Sequence, residues 1–196
     1  MLNRITSAVV RIGFPRASRI PTHLTAPEKL ALLRLARASG PVCVEIGSYL
    51  GASASFIATG SRMRWGSRSV VYCVDTWGNH GMTEGERDTW AEFKANTAPW
   101  AAAIKPLRGM SVAVASGVAE PIDFLFIDGG HDYESVRADA DVWLPKLKPG
   151  GTVALHDWGW AEGVQRVVRE SIQPRATHEG TLPNLYWAHL NHPICR

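Results

Sequence analysis

The chain has 196 residues, 45% hydrophobic and 20% charged, which suits one compact domain with a genuine core and leaves no room for two of full size. Its net charge of +3 falls well short of the clustered basic stripe that would make nucleic acid the leading partner. Cys43, Cys73 and Cys195 are an odd count at spacings that fit neither a zinc knuckle nor a disulfide framework, so free thiols and a cytoplasmic setting are expected. No stretch approaches ~18 uninterrupted apolar residues and the secretory pattern is absent, so neither membrane passage nor export is expected, and no membrane partner.

Residues 1–27 carry Arg4, Arg11, Arg16 and Arg19 and no acid, a composition that imitates an organelle transit peptide. The blander reading is an arm over residues 1–24, lying on the domain or on a neighbouring subunit and interrupted by Pro15 and Pro21. Residues 25–196 then form the folded domain. Thr25-Ala-Pro-Glu28 reads as a capping box, and the leucines behind it predict a helix to about Ser39. Gly40 and Pro41 end it, and Val42–Ile46 is a buried strand feeding the turn Gly47-Ser-Tyr-Leu-Gly51.

A small-residue helix from Ala52 and an apolar strand Ser69–Asp75 follow. One helix interrupted near Pro99 is predicted over Glu84–Ile104, and a weaker strand over Ile104–Leu107. Ile122–Asp128 is the clearest buried strand; a helix spans Tyr133–Leu144, and Pro149-Gly-Gly turns into Thr152–Asp157. A helix over Ala161–Ile172 precedes a strand around Leu185–Leu190. Strands alternating with helices at this pitch specify an α/β fold, a mostly parallel sheet covered on both faces.

Ligands of such sheets bind beyond the carboxyl ends of the strands, and four predicted strands deliver polar groups there: Glu45 with Gly47, Asp75, Asp128, and His156 with Asp157. Burying lone carboxylates costs several kcal/mol, so a ligand or metal is their natural partner. The glycine turn does not fit Gly-x-Gly-x-x-Gly, which disfavours a dinucleotide and an NAD-dependent oxidoreductase. By itself the turn is equally a plain strand-to-helix connection. Asp75, at the end of the next strand, can accept hydrogen bonds from the vicinal hydroxyls of a ribose, so an adenosine-type ligand without a pyrophosphate fits.

The segments Glu45-Ile-Gly-Ser-Tyr-Leu-Gly51, Val74-Asp75, Phe126-Ile-Asp-Gly-Gly-His-Asp-Tyr-Glu134 and Pro149-Gly-Gly-Thr-Val-Ala-Leu-His-Asp157 resemble class I S-adenosylmethionine-dependent methyltransferases. Within that superfamily they are most similar to the small branch that includes macrocin-type sugar O-methyltransferases. The resemblance implies a Rossmann-like sheet of seven strands with the last antiparallel. It implies a donor site that includes Glu45, Gly47, Ser48, Gly51, Ser53 and Asp128, in which Gly47 and its neighbours face the methionine moiety, Asp75 holds the ribose, and Ser111 with the adjoining backbone lies near the adenine. Trp77 either stacks near that base or packs on its own domain.

Asp128 and Asp157 end adjacent predicted strands and, with His156, make a plausible seat for a divalent cation, magnesium or manganese. The same groups serve a metal-free site if they bind substrate or orient one another. His131, three residues after Asp128, matches the position at which relatives carry a general base; its alternative is capping the next helix or pairing with Asp132. Asp139 and Asp141 read as a solvated helix face. Trp77, Trp90, Trp100, Trp158 and Trp160 fall near the expected pocket rim and suit a sugar or aromatic acceptor, whereas Trp143 and Trp187 read as core or contact residues. The expected activity is O-methylation of a sugar or glycoside hydroxyl by a homodimer. A catechol-type phenol acceptor is the nearest alternative, and a nucleic-acid module using the Arg-rich arm is a more distant one.

Overall fold

The computed structural model describes residues 2–79 and 85–191; Cys195 and the expected helix start at Glu84 lie outside them. In chain order the main elements are α1 (Leu2–Gly13), α2 (Ala26–Ala38), β1 (Val42–Ile46), α3 (Ala52–Trp65), β2 (Val70–Asp75), α4 (Trp90–Thr97) and β3 (Ile104–Arg108). They continue as α5 (Ser111–Val114), β4 (Ile122–Ile127), α6 (Tyr133–Trp143), β5 (Leu147–His156), α7 (Glu162–Val167), β6 (Ala176–Leu182) and β7 (Leu185–Leu190). The strands form one seven-stranded sheet in the order β3-β2-β1-β4-β5-β7-β6, parallel except for β7, which runs antiparallel to both neighbours.

Both faces of this sheet are covered, which is why its central strands read as unbroken apolar runs. Val44, Ile46, Val74, Leu125, Ile127, Val153 and Leu155 share one cluster with Trp143 of α6 and Val164 and Val167 of α7. Cys43, Cys73, Phe124, Phe126 and Ala154 take the other face with Leu32 of α2, Ile57 of α3 and Phe93 of α4. Alternation therefore sends Glu45 to the same face as Cys43 and Cys73, towards the start of α3. The two cysteines are free and buried, and burial pushes the Cys43 thiol up to about 12, the inert core thiols expected.

The capping box at Thr25 forms, with Glu28 Oε2 accepting from the Thr25 amide at 2.7 Å. Helices α2 and α3 cross where Gly60 lies against the Leu33 carbonyl, so close that an added Cβ would sit 2.1 Å from that oxygen. Residues 5–24 lie on the domain, with Val10 and Phe14 packed against Leu33 and Phe56 and the helix ended before Pro15. The strand β6 has no apolar run, and the expected helix at Glu84–Ile104 shortens to Trp90–Thr97 and one further turn at Ala98–Trp100.

Candidate functional site

The order of strands reverses at the β1/β4 boundary, so the connections leaving these two strands diverge to opposite faces and open a crevice at their carboxyl ends. Gly47 (φ +84°) and Gly51 (φ +89°) bend the first connection through the left-handed region. At Gly47 a Cβ would lie 2.0 Å from the Asp128 carbonyl, so only glycine lets the β1 and β4 loops touch. Tyr49, Trp77, Asn79 and Asp157 hold positive φ without being glycine, and all four lie in loops that leave this edge.

Glu45 is fully buried, and neither of its carboxylate oxygens has a hydrogen-bond partner among the described residues; the Ser48 hydroxyl is in the same condition. Ser48 and Ser53 approach the carboxylate without closing a hydrogen bond, and burial raises its pKa to about 7. Asp75 ties two loops together: Oδ2 accepts the Tyr49 amide and Oδ1 the Trp77 amide, each at 2.7 Å. Each oxygen keeps a further lone pair, and the residue remains partly exposed towards the crevice.

Trp77 takes the second of its two expected roles, packing on its own domain, and Ser111 has a partner within the chain. The Trp77 ring is fully buried against Trp90 and Phe93, both with centroids at 4.6 Å, and its indole N–H donates to the Tyr49 carbonyl at 3.0 Å. It therefore braces the glycine loop and offers no free face to a base. Ser111 donates to Asp139 Oδ1, and Asp139, read as a solvated residue, is buried with its pKa raised by that burial to about 6. Helical periodicity alone placed Asp139 outside; the short helix α5, four residues and so too brief for a helical period to show, packs on α6 there.

A second cluster stands beside the first. Asp128, His156 and Asp157 each offer one ligand atom within 4.8 Å of the others. His156 Nδ1 is 3.1 Å from Asp128 Oδ1 and 3.3 Å from Asp157 Oδ1, while its Nε2 is 3.7 Å from Glu28 Oε2. Although burial opposes the charge, these carboxylates push the His156 pKa up to about 12. Burial raises Asp128, whereas hydrogen bonds from His131 and His156 outweigh burial at Asp157 and hold it well below the usual carboxylate range.

His131 Nε2 lies 2.8 Å from Asp157 Oδ2, and the N-cap of α6 is Asp132, whose carboxylate accepts the Ser135 amide at 2.9 Å. His131 is thus free of helix capping. Trp160 Nε1 donates to Asp157 Oδ1 at 2.9 Å, its ring is edge-on to His131 at 5.2 Å, and the residue is 62% exposed. The other rim tryptophans are engaged elsewhere: Trp90 with Trp77, Trp100 with the Thr59 hydroxyl on α3, and Trp158 with Tyr186.

Glu28 and Asn184 were not singled out as site residues. Glu28 is 2% exposed, which its capping-box position did not signal. Asn184 Nδ2 reaches Asp157 Oδ1 at 3.1 Å because β7 pairs Leu185 with His156, which sets residue 184 opposite residue 157. That register depends on the weakly patterned β6–β7 hairpin and has no local sequence signal.

Residues 44–158 match a family model described as a methyltransferase domain, and the chain belongs to that family. A curated relative from Sinorhizobium fredii, the uncharacterized protein y4gI, is 28% identical over 121 residues, 58% of this chain, and the chain spans about 13% of that relative's length. Among solved structures, the O-methyltransferase from Bacillus cereus in complex with SAH has a TM-score of 0.67 at 16% identity, covering 96% of this chain and 91% of that one. MycE methyltransferase from the mycinamycin biosynthetic pathway, in complex with Mg and SAH, has a TM-score of 0.60 at 15% identity over 96% of this chain and 55% of that one. The fold is the Rossmann-like methyltransferase fold.

Proposed function

We propose that the protein is an S-adenosylmethionine-dependent O-methyltransferase that methylates a sugar or glycoside hydroxyl, with a divalent cation at Asp128 and Asp157 and His131 as general base. The observation that carries this reading is the pairing of two sites at one sheet edge: the orphaned Glu45 and Ser48 beside Asp75, and the Asp128–His156–Asp157 cluster beside His131. Buried oxygens without partners fit a cationic ligand of the sulfonium type, and two carboxylates with an imidazole fit a divalent metal.

When bound, the donor supplies an electrophilic methyl group and the metal a positive charge that makes a hydroxyl more acidic. The residues of the chain supply the rest. Gly47 and Gly51 let backbone approach the donor, Glu45 faces its positive end, and Asp75 accepts from ribose hydroxyls. With the proton fixed on Nε2 by Asp157, Nδ1 of His131 is the atom left to accept the acceptor's hydroxyl proton. Trp160, pinned through its N–H and 62% exposed, suits the C–H face of a ring.

A second reading has its own support. His156, protonated among Asp128, Asp157 and Glu28, can itself balance the carboxylates in a metal-free site. Mass spectrometry of reactions with a panel of saccharides and catechols, with and without chelator, tests both. Gain of one methyl on a saccharide that chelator abolishes supports the first reading. Full turnover in chelator selects the second, methylation of catechols alone moves the acceptor to phenols, and no transfer to any acceptor overturns the assignment.

A further inference from the structure

Helix α1 turns its more apolar side outward. Val10 is buried with Ala17, Leu33 and Phe56, whereas Ile5, Val9 and Ile12 on the far side are 59, 51 and 82% exposed. Arg11 is exposed beside them, and residues 1–27 contain no acid. From Val10, packed on Phe56, the chain runs to Ile20, packed on Leu50 and Ala52 at the start of α3. Helix α1 therefore lies over α2 at Leu33, the residue that precedes Arg34.

Beyond Leu33 a shallow cleft between α2 and α3 is lined by Arg34, Arg37, Met63 and Arg64, with Met63 55% exposed. Arg64 and Arg68 stack on Trp65 at 5.2 and 5.0 Å. Among the described residues no carboxylate pairs with Arg11, Arg34, Arg37, Arg64 or Arg68. An exposed aliphatic stripe on α1 and guanidinium groups without a carboxylate partner on α2 and α3 are thus carried by helices that pack together at Leu33.

Charge complementarity selects what covers them. A second copy of the chain would bring like-charged rims together, and a nucleic acid would engage the arginines but leave the aliphatic stripe in water. An anionic bilayer takes both, with isoleucines at the acyl boundary and guanidiniums at the phosphates. We propose that α1 and the Arg34–Arg37–Arg64 cleft form a docking surface for membranes containing anionic phospholipid. The expectation of no membrane partner rested on the lack of a crossing segment, and no helix among the described residues is long and apolar enough to cross a membrane; lying on one requires far less. Arg64 also borders Asp123, Lys148 and Gly150 at the amino-terminal edge of the parallel strands, so docking there leaves the opposite edge, with its site, open.

Co-sedimentation with vesicles of phosphatidylcholine, alone or mixed with phosphatidylglycerol, tests the surface at low and high salt. The protein should pellet with the mixed vesicles only, and less so in high salt. Ile5→Ser with Ile12→Ser, and separately Arg34→Gln with Arg37→Gln, should each weaken binding by about tenfold or more without moving the unfolding midpoint. Equal pelleting with pure phosphatidylcholine, no pelleting with mixed vesicles, or undiminished binding by both variants would overturn the proposal. So would a dimer in sedimentation velocity that the isoleucine variant dissociates, since the stripe would then be covered by a second copy.

Discussion

His131 Nε2 and Asp157 Oδ2 meet at 2.8 Å from two different loops, one leaving β4 and one leaving β5. The contact raises the imidazole pKa above its ordinary value of 6.5. Neutral imidazole, the form that accepts a proton, accordingly dominates only above that raised value. Turnover should fall on the acid side with an inflection above pH 6.5, and His131→Ala should remove that limb while lowering kcat by about 10² to 10⁴ fold. Donor affinity measured by calorimetry should stay nearly unchanged. A wild-type rate profile in the variant would exclude His131 from proton transfer.

Asp75 holds the Tyr49 and Trp77 amides as well as facing the crevice, so its loss acts twice. Hydrogen bonds to a charged group contribute roughly 1.5–3 kcal/mol each, and Asp75→Ala should weaken donor binding by at least about tenfold. Asp75→Asn, which keeps one acceptor oxygen, should fall between the variant and the wild type. Unchanged affinity in Asp75→Ala would place the donor elsewhere.

The alternation of apolar strands and helices, with an acid ending each of four strands, made the sheet and the site edge readable in the sequence. A carboxylate following an all-apolar run has no use in a core, and the strand ends of a parallel sheet converge by topology. Contacts that depend on how far a helix is covered were not readable: Asp139 lies under α5, and Trp77 turns inward at a positive φ. Asn184 reaches the cluster through the register of an antiparallel hairpin whose outer strand, Ala176–Leu182, carries few apolar residues.

Trp160 is exposed yet fixed by its bond to Asp157, a combination that suits a platform for the acceptor. Trp160→Ala should raise the acceptor KM by roughly tenfold, the scale of one aromatic contact, while donor affinity and the unfolding midpoint hold. Trp160→Phe keeps a ring but loses the N–H, and should recover part of the loss. An unaltered acceptor KM in Trp160→Ala would remove the residue from acceptor binding.

Glu45 links the proposed donor site to stability. In the folded chain it keeps its proton up to about pH 7, whereas the ordinary value is 4.5. The folded state therefore binds more protons than the unfolded chain between these values, and stability falls as pH rises through this window. Burying the ionised form costs on the order of a few kcal/mol above pH 7, by the scale of about 1.4 kcal/mol per unit. Glu45→Gln, neutral at every pH, should unfold at a higher temperature than the wild type above pH 7, with the gap closing towards pH 4.5. A cationic donor should narrow the gap at high pH, because it stabilises the charged wild-type carboxylate more than the amide. Parallel melting curves for the two proteins across this range would show that Glu45 is ionised and satisfied in the folded chain, and would remove it as the group awaiting a positive ligand.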